Sequence, residues 1–97
     1  MALPIVFRQI AKSELEESIA WYEVQSAGLG IELAVEIETF LLRVAETPEQ
    51  FPRIRGEIRR AVLQRFPYTL HFVIESERIV ILAVFHVKRN PRSLEDR

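Results

Sequence analysis

Residues 79–87 have the sequence Ile-Val-Ile-Leu-Ala-Val-Phe-His-Val, and this stretch decides the fold. Its apolar run from Ile79 to Phe85 is seven residues long. A run of that length matches a β-strand and falls far short of the roughly 20 residues that cross a bilayer. Because both faces of the predicted strand are apolar, we expect it to lie in the interior of a sheet.

Three further segments have strand composition. They span Leu3–Ile10, Glu57–Leu63 and Tyr68–Ile74. The first is rich in Ile, Val and Phe, and Pro4 suits a strand start or a sheet edge. The polar residues 75–78 predict a turn between the last two strands of the chain.

Two amphipathic helices are predicted between the first strand and the others, at roughly Ala11–Gln25 and Gly30–Glu46. Ser13 and Glu16 have the spacing of a capping box at the start of the first helix. The buried stripe of that helix is expected to contain Leu15, Ser18, Ile19 and Tyr22. The stripe of the second helix is expected to contain Leu33, Ile37, Phe40, Leu41 and Val44. Residues 26–30 break the helical pattern, and Thr47-Pro48 ends the second helix.

The predicted order is therefore β-α-α-β-β-β. We expect an α+β domain spanning residues 1–97, in which a helical hairpin packs on one face of a mainly antiparallel four-stranded sheet. The last strand is followed by the polar tail Asn90–Arg97, for which we predict a frayed end or one helical turn.

The composition is that of a globular protein, with 48% hydrophobic and 28% charged residues in a chain of 97. The chain has no cysteine, which excludes a disulfide framework and a thiolate zinc site. The first eight residues lack the basic and long apolar regions of a signal peptide. We therefore expect a cytoplasmic protein without membrane contact.

Charge is distributed unevenly along the chain. Residues 1–51 carry nine Glu against three cations, a net charge of −6, whereas residues 52–97 carry ten cations against five acids, a net charge of +5. Nine of those ten cations are arginines, which suit bidentate contact with phosphate or carboxylate. Three interpretations stay open: nucleic-acid binding, pairing with an acidic protein, or ordinary solvated side chains. Strand alternation places Arg59 and Arg60 on opposite faces.

No motif of nucleophilic, phosphate-loop or metal chemistry is present. The only two histidines, His71 and His86, do not form H-E-x-x-H, and we predict no metal and no cofactor. His86 is followed by Lys88 and Arg89, so it suits a general acid or base; the alternative is a partly buried histidine hydrogen-bonded to the next strand or to a loop carbonyl. Trp21 and Tyr22 diverge on their helix, and we expect Trp21 to pack under a loop rather than mark an interface.

Two segments together carry a resemblance to a known family. The first is Phe66-Pro67-Tyr68 at the start of a strand, and the second is the apolar strand that ends in His86, Arg89 and Pro91 as H-x-x-R-x-P. With the two-helix hairpin, their order resembles the toxins of type II toxin–antitoxin modules in the ParE/RelE superfamily, often called plasmid stabilisation proteins. The resemblance covers nearly the whole chain.

The resemblance implies the β-α-α-β-β-β domain and a cognate antitoxin that binds the toxin as a hetero-oligomer and neutralises it. ParE-like members inhibit DNA gyrase, whereas RelE-like members cleave mRNA on the ribosome with basic residues and a tyrosine near the C-terminus. Here only six residues follow Pro91, and none is tyrosine. We therefore expect a ParE-like toxin that acts by binding gyrase rather than by catalysis, with no small-molecule cofactor.

Two sets of residues follow from these alternatives. The partner-binding residues are predicted to be Arg59, Arg60, Arg65, Arg78, Lys88, Arg89 and Arg92. If the chain is instead a metal-independent, ribosome-dependent endoribonuclease, the candidate catalytic residues are Arg59, Arg60, His86 and Arg89. An inactive family member is the third alternative.

Overall fold

The computed structural model describes residues 2–88 and Leu94. The elements in chain order are β1 (Ile5–Phe7), α1 (Gln9–Gln25), α2 (Leu29–Glu46), a 3₁₀ turn (Pro48–Gln50), β2 (Arg53–Arg55), β3 (Ile58–Val62), β4 (Tyr68–Glu75) and β5 (Arg78–His86). The α+β class and the hairpin of helices are as predicted. Neither helix in the described part of the chain has the length and apolarity to span a bilayer.

The sheet has five strands in the order β1-β5-β4-β3-β2. β5 is an interior strand, which confirms the prediction from its two apolar faces, and β1 lies at an edge. β1 runs parallel to β5, and the other pairings are antiparallel. The fifth strand, β2, was not predicted, because three residues with arginine at both ends carry no strand pattern.

The predicted stripe of α2 is mostly buried, whereas in the predicted stripe of α1 Leu15, Ile19 and Tyr22 are only partly buried against the core. Leu33, Ile37 and Val44 of α2 are at most 2% exposed, and Ser18 of α1 is buried as well. Because an apolar stripe must be covered, the hairpin packs on one face of the sheet.

The predicted capping box at Ser13 and Glu16 is wrong, since α1 already begins at Gln9 and its N-cap is Arg8. The Arg8 amide donates to the Ile81 carbonyl at 3.0 Å, and its own carbonyl accepts from Lys12. Pairing with β5 therefore fixes the helix start close behind β1 and leaves Ser13 inside the helix.

A bulge in β5 changes the alternation of its side chains between the two faces of the sheet. His71 pairs with Ala83 and Phe72 pairs with Ile81, so Leu82 is an extra residue on β5. Ile79, Ile81 and Val84 join the core under the helices, whereas Ala83 and Phe85 contact Leu94, Ile54 and Ile58 on the opposite side. We call this opposite side, which the helices do not cover, the open face.

Glu23 of α1 joins the two helices at their turn. Its carboxylate accepts the Gly28 amide at 2.8 Å and the Gly30 amide at 2.9 Å. Amides at a helix start have no partner within the helix, and a carboxylate there also complements the helix dipole. Gly28 has a φ of 88°, which favours glycine. At Gly30 a Cβ would lie 2.5 Å from the Ile19 carbonyl oxygen, so the helices cross where only glycine fits.

Candidate functional site

The central strands bring polar side chains together on the open face. Arg60 of β3 pairs with His71 of β4, and Thr69 of β4 pairs with Phe85 of β5. Because paired residues in a sheet share a face, these four side chains lie side by side. Their cavity has a volume of about 240 Å³ and is lined by Arg60, Val62, Thr69, His71, Phe85, His86 and Val87.

The floor of this cavity is rigid. His71 is 3% exposed, and its ring centroid lies 5.2 Å from that of Phe85. Thr69 is also buried, and its hydroxyl donates to the Phe85 carbonyl at 3.4 Å. Arg60 and Val62, by contrast, are exposed, so the cavity opens to solvent on the β3 side.

His86 lies at the end of β5, at the rim of the cavity, and pairs with Tyr68 on the side of the sheet that the helices cover. It also lines a second cavity there, with Glu14, Glu17 and Trp21 of α1. Its Nδ1 accepts the Lys88 amide at 3.2 Å, and its ring packs edge-on against Tyr68 with centroids 5.4 Å apart. A neutral imidazole carries one N–H, so an accepting Nδ1 leaves Nε2 as the donor nitrogen. His86 therefore combines a structural bond to a neighbouring turn with a hydrogen-bond donor at the other ring nitrogen.

Of the predicted catalytic residues, Arg60 and His86 both line this cavity, but the His86 ring packs on Tyr68 on the other side of the sheet, and Arg59 does not line it. Arg59 pairs with Phe72, whose side chain belongs to the core under the helices. The Arg59 guanidinium donates to the Phe51 carbonyl at 2.7 Å and to the Glu49 carbonyl at 3.3 Å. The predicted divergence of Arg59 and Arg60 is thus confirmed. Arg89 lies outside the described residues.

The predicted partner-binding cations are spread over the molecule. Arg65 forms an ion pair with Glu32 of α2, and Arg78 forms one with Glu75 at 2.9 Å. Arg78 begins β5 and Lys88 follows its end, so these two cations are separated by the length of the strand. Arg89 and Arg92 lie outside the described residues.

The hairpin exposes apolar side chains on both helices, which the sequence patterns did not predict. Its five large apolar side chains are between 56% and 83% exposed: Trp21, Val24, Ile31, Val35 and Leu42. We call them the hairpin patch. Trp21 is 56% exposed, which corrects the prediction that it packs under a loop; its ring contacts Tyr22 edge-on at 4.9 Å. The sequence does contain an indication of these exposed side chains, because α2 has apolar residues outside its predicted buried stripe.

Beside the hairpin patch lies a groove of about 400 Å³ between α2 and the turn after β3. Glu36 fixes this turn, because its carboxylate accepts the Gln64 amide at 3.2 Å and the Arg65 amide at 3.0 Å. Ile31, Val35 and Phe40 provide apolar lining. The groove is therefore held in shape by hydrogen bonds within the chain.

Tyr22 connects this region to the sheet. Its ring lies 5.1 Å from Phe66 and 6.1 Å from Tyr68, edge-on in both cases. Burial raises the pKa of the Tyr22 phenol above its ordinary value, and the neighbouring Tyr68 raises it further. Tyr22 is thus a neutral packing residue at physiological pH.

The sequence matches the model of the family described as "ParE toxin of type II toxin-antitoxin system, parDE" over residues 5–91. The chain belongs to the ParE toxin family. Among solved structures, the ParE fold of this chain is similar to one titled "Chromosomal ParDE TA system from P. aeruginosa", with a TM-score of 0.76 at 17% identity. That similarity covers 88% of this chain and 96% of the other. The comparison with curated proteins gives no significant match.

Proposed function

We propose that this ParE-family chain is a toxin that acts by binding DNA gyrase, and that a cognate antitoxin neutralises it by covering the hairpin patch. The family match over residues 5–91 carries this proposal. The distribution of cations supports binding over catalysis. A metal-free ribonuclease needs a proton acceptor and several cations around one phosphate. In the described part of the chain, Arg59, Arg65 and Arg78 each bond elsewhere.

A supercoiling assay with the purified chain tests inhibition of gyrase. In parallel, a reconstituted translation system tests whether the chain cleaves mRNA. We expect inhibition of supercoiling that added antitoxin reverses, while the message stays intact. Arg60→Gln is expected to weaken inhibition, because Arg60 is exposed on the open face. Arg78→Gln, at the opposite end of β5, is the control with the same change of charge.

A ribosome-dependent endoribonuclease is the second candidate, because Arg60 and His71 lie side by side in a cavity of the open face whose rim includes the strand end at His86. Toeprinting of translated message distinguishes the two functions. Codon-specific cleavage that disappears in Arg60→Gln would replace gyrase with the ribosome as the target. A chain that inhibits neither process, and does not arrest growth when expressed without antitoxin, would be an inactive family member.

We propose the hairpin patch as the antitoxin surface because its apolar side chains are exposed and because a groove lies beside it. Exposed apolar side chains beside a groove are typical of an interface. Ile31 and Val35 of the hairpin patch line the groove beside α2, which is suited to the apolar side of an amphipathic segment. The hairpin patch also lies on the side of the molecule opposite the open face. Neutralisation then requires that the bound antitoxin blocks the approach of gyrase as a whole, since it does not cover Arg60 itself.

Val35→Asp tests this surface. Val35 is 56% exposed in the free chain, so the variant should fold, but an aspartate would be buried in the complex. We expect antitoxin affinity to fall by roughly 30-fold or more, the effect of losing a central interface residue. Val87→Asp, at a valine that is 52% exposed on the opposite side, is the matched control. Equal antitoxin affinity of the two variants would remove the hairpin patch from the interface.

A further inference from the structure

The second cavity that His86 lines lies between α1 and the strands β4 and β5, and we call it the α1 cavity. Its volume is about 290 Å³, and it is lined by Glu14, Glu17, Ser18, Trp21, Tyr68, Val84 and His86. This lining has two carboxylates and two large aromatic rings, but no lysine or arginine. Carboxylates attract a cation, and the face of an aromatic ring binds one by a cation–π interaction.

Three other cavities of the described part of the chain lack this combination. The cavity of the open face includes Arg60 and no carboxylate. The groove beside α2 has two glutamates, but it also has Arg43 and Arg65. The cavity lined by Leu3 and residues 45–50 has two glutamates and no aromatic ring. Of these four, the α1 cavity is the one whose lining suits a cation with an apolar stem.

The helix spacing of α1 places the cavity residues in one row. Glu14, Glu17 and Trp21 are separated by three and four residues, so their side chains are neighbours on one helix face. Glu14 is half-buried, and its carboxylate accepts the Val84 amide at 3.0 Å, which fixes α1 against β5. Glu17 is exposed and makes no hydrogen bond or ion pair with any described residue. Glu17 is therefore the carboxylate that an incoming cation meets, with the Trp21 ring beside it.

Aromatic contacts connect the α1 cavity to the groove beside α2. The Tyr68 ring, which lines the cavity, lies 6.1 Å from the Tyr22 ring, and this ring lies 5.1 Å from the Phe66 ring. The Arg65 guanidinium lies 5.8 Å from the Phe66 ring, and Arg65 lines the groove. A helix advances about 5.4 Å per turn. One helical segment therefore reaches from the groove to the cavity within about three turns. It also passes Trp21, which belongs to the hairpin patch.

We propose that the α1 cavity receives a basic side chain of the antitoxin, placed within about three helical turns of the apolar residues that fill the groove. Glu17 binds the charge, and Trp21 and Tyr68 cover the aliphatic stem. This inference rests on the proposed antitoxin surface and adds a charged contact to its apolar contacts. The contact selects the cognate antitoxin, because a neutral or acidic residue at that place would leave Glu17 covered without a partner.

The cavity alone is tested by NMR titration of the full chain with N-acetyl-arginine amide. N-acetyl-citrulline amide, which has nearly the same shape without the charge, is the control probe. We expect the arginine probe to shift the Trp21 indole and His86 ring signals, and to bind about threefold more weakly to Glu17→Gln, as for a solvent-exposed ion pair. Glu16→Gln is the matched control, because Glu16 is exposed on α1 and does not line the cavity.

The antitoxin contact is tested by measuring antitoxin affinity for the same variants. We expect a loss of about tenfold in Glu17→Gln, because the charge pair is covered in the complex, and no change in Glu16→Gln. When each basic residue of the antitoxin is changed to glutamine, one of them should show non-additive coupling to Glu17→Gln.

The outcomes separate this contact from the proposed antitoxin surface. Weak binding of Val35→Asp, with Glu17→Gln and Glu16→Gln alike, would keep the surface and overturn the contact. Equal affinity of Val35→Asp and Val87→Asp would overturn the surface and the contact with it. The contact is also overturned if the citrulline probe binds as well as the arginine probe. Tighter binding of the arginine probe to Arg89→Gln would overturn it as well, since the occupant would then be a side chain of the toxin itself.

Discussion

Gly30→Ala gives the sharpest test of how the helical hairpin is packed. The new Cβ would lie 2.5 Å from the Ile19 carbonyl oxygen and 3.0 Å from the Glu23 Cβ. The oxygen belongs to the α1 backbone and cannot rotate away, so α2 must move as a unit. That movement would also stretch the 2.9 Å hydrogen bond from the Gly30 amide to Glu23.

The net effect follows from three contributions. Alanine stabilises a helix by about 1 kcal/mol relative to glycine. Overpacking a close contact costs typically 1–3 kcal/mol, and weakening a hydrogen bond to a charged group costs about 1.5–3 kcal/mol. We therefore expect Gly30→Ala to lower the free energy of unfolding by about 2–4 kcal/mol. A small domain loses roughly 4–8 °C of Tm per kcal/mol, so the shift should be at least about 10 °C.

The measurement is urea unfolding followed by circular dichroism, with Gly56→Ala as the matched control. Gly56 has a φ of 53° and nothing within 4 Å of an added Cβ, so alanine there meets backbone strain but no clash. We expect it to lose about 1–2 kcal/mol. Gly30→Ala with wild-type stability, or with a smaller loss than Gly56→Ala, would refute the close approach of the helices at Gly30.

Three further predictions concern other parts of the fold. Glu23→Gln should lower the free energy of unfolding by about 1–2 kcal/mol in urea melts, because it removes the charge that faces the start of α2; an unchanged midpoint would contradict this role. The Tyr22 phenol should titrate above its ordinary pKa in ultraviolet absorbance, and Tyr68→Phe should lower that pKa. Because the pKa is raised in the folded state, the unfolded state loses this proton at a lower pH than the folded state does. The free energy of unfolding should therefore fall as the pH rises above about 10. This fall should be smaller in Tyr22→Phe, which has no phenol at this position. Phe72→Ala, at a fully buried core position, should cost about 3–5 kcal/mol, and a smaller loss would mean that the core collapses into the space.

Sequence patterns were sufficient for the elements that bury apolar stripes. The interior position of β5 followed from its two apolar faces, and the buried residues of α2 followed from their helical spacing. The start of α1 did not follow, because the Arg8 amide bonds to Ile81, a residue more than 70 positions away. Local capping signals cannot report such a contact.

The candidate site could be predicted only in part for the same reason. Strand alternation correctly separated Arg59 from Arg60. It did not reveal that Arg60 would meet His71 and Thr69, since that depends on the register of β3 against β4. Nor did charge composition show which arginines are neutralised, because the glutamate partner of Arg65 comes from a distant helix.

Inhibition of gyrase is the central prediction of the proposed function. The decisive measurement is supercoiling by gyrase in the presence of the purified chain, with and without its antitoxin, alongside toeprinting of a translated message at the same toxin concentration. We predict that supercoiling is inhibited, that antitoxin restores it, and that the message stays uncut. Cleavage of the message with supercoiling unaffected would contradict the account.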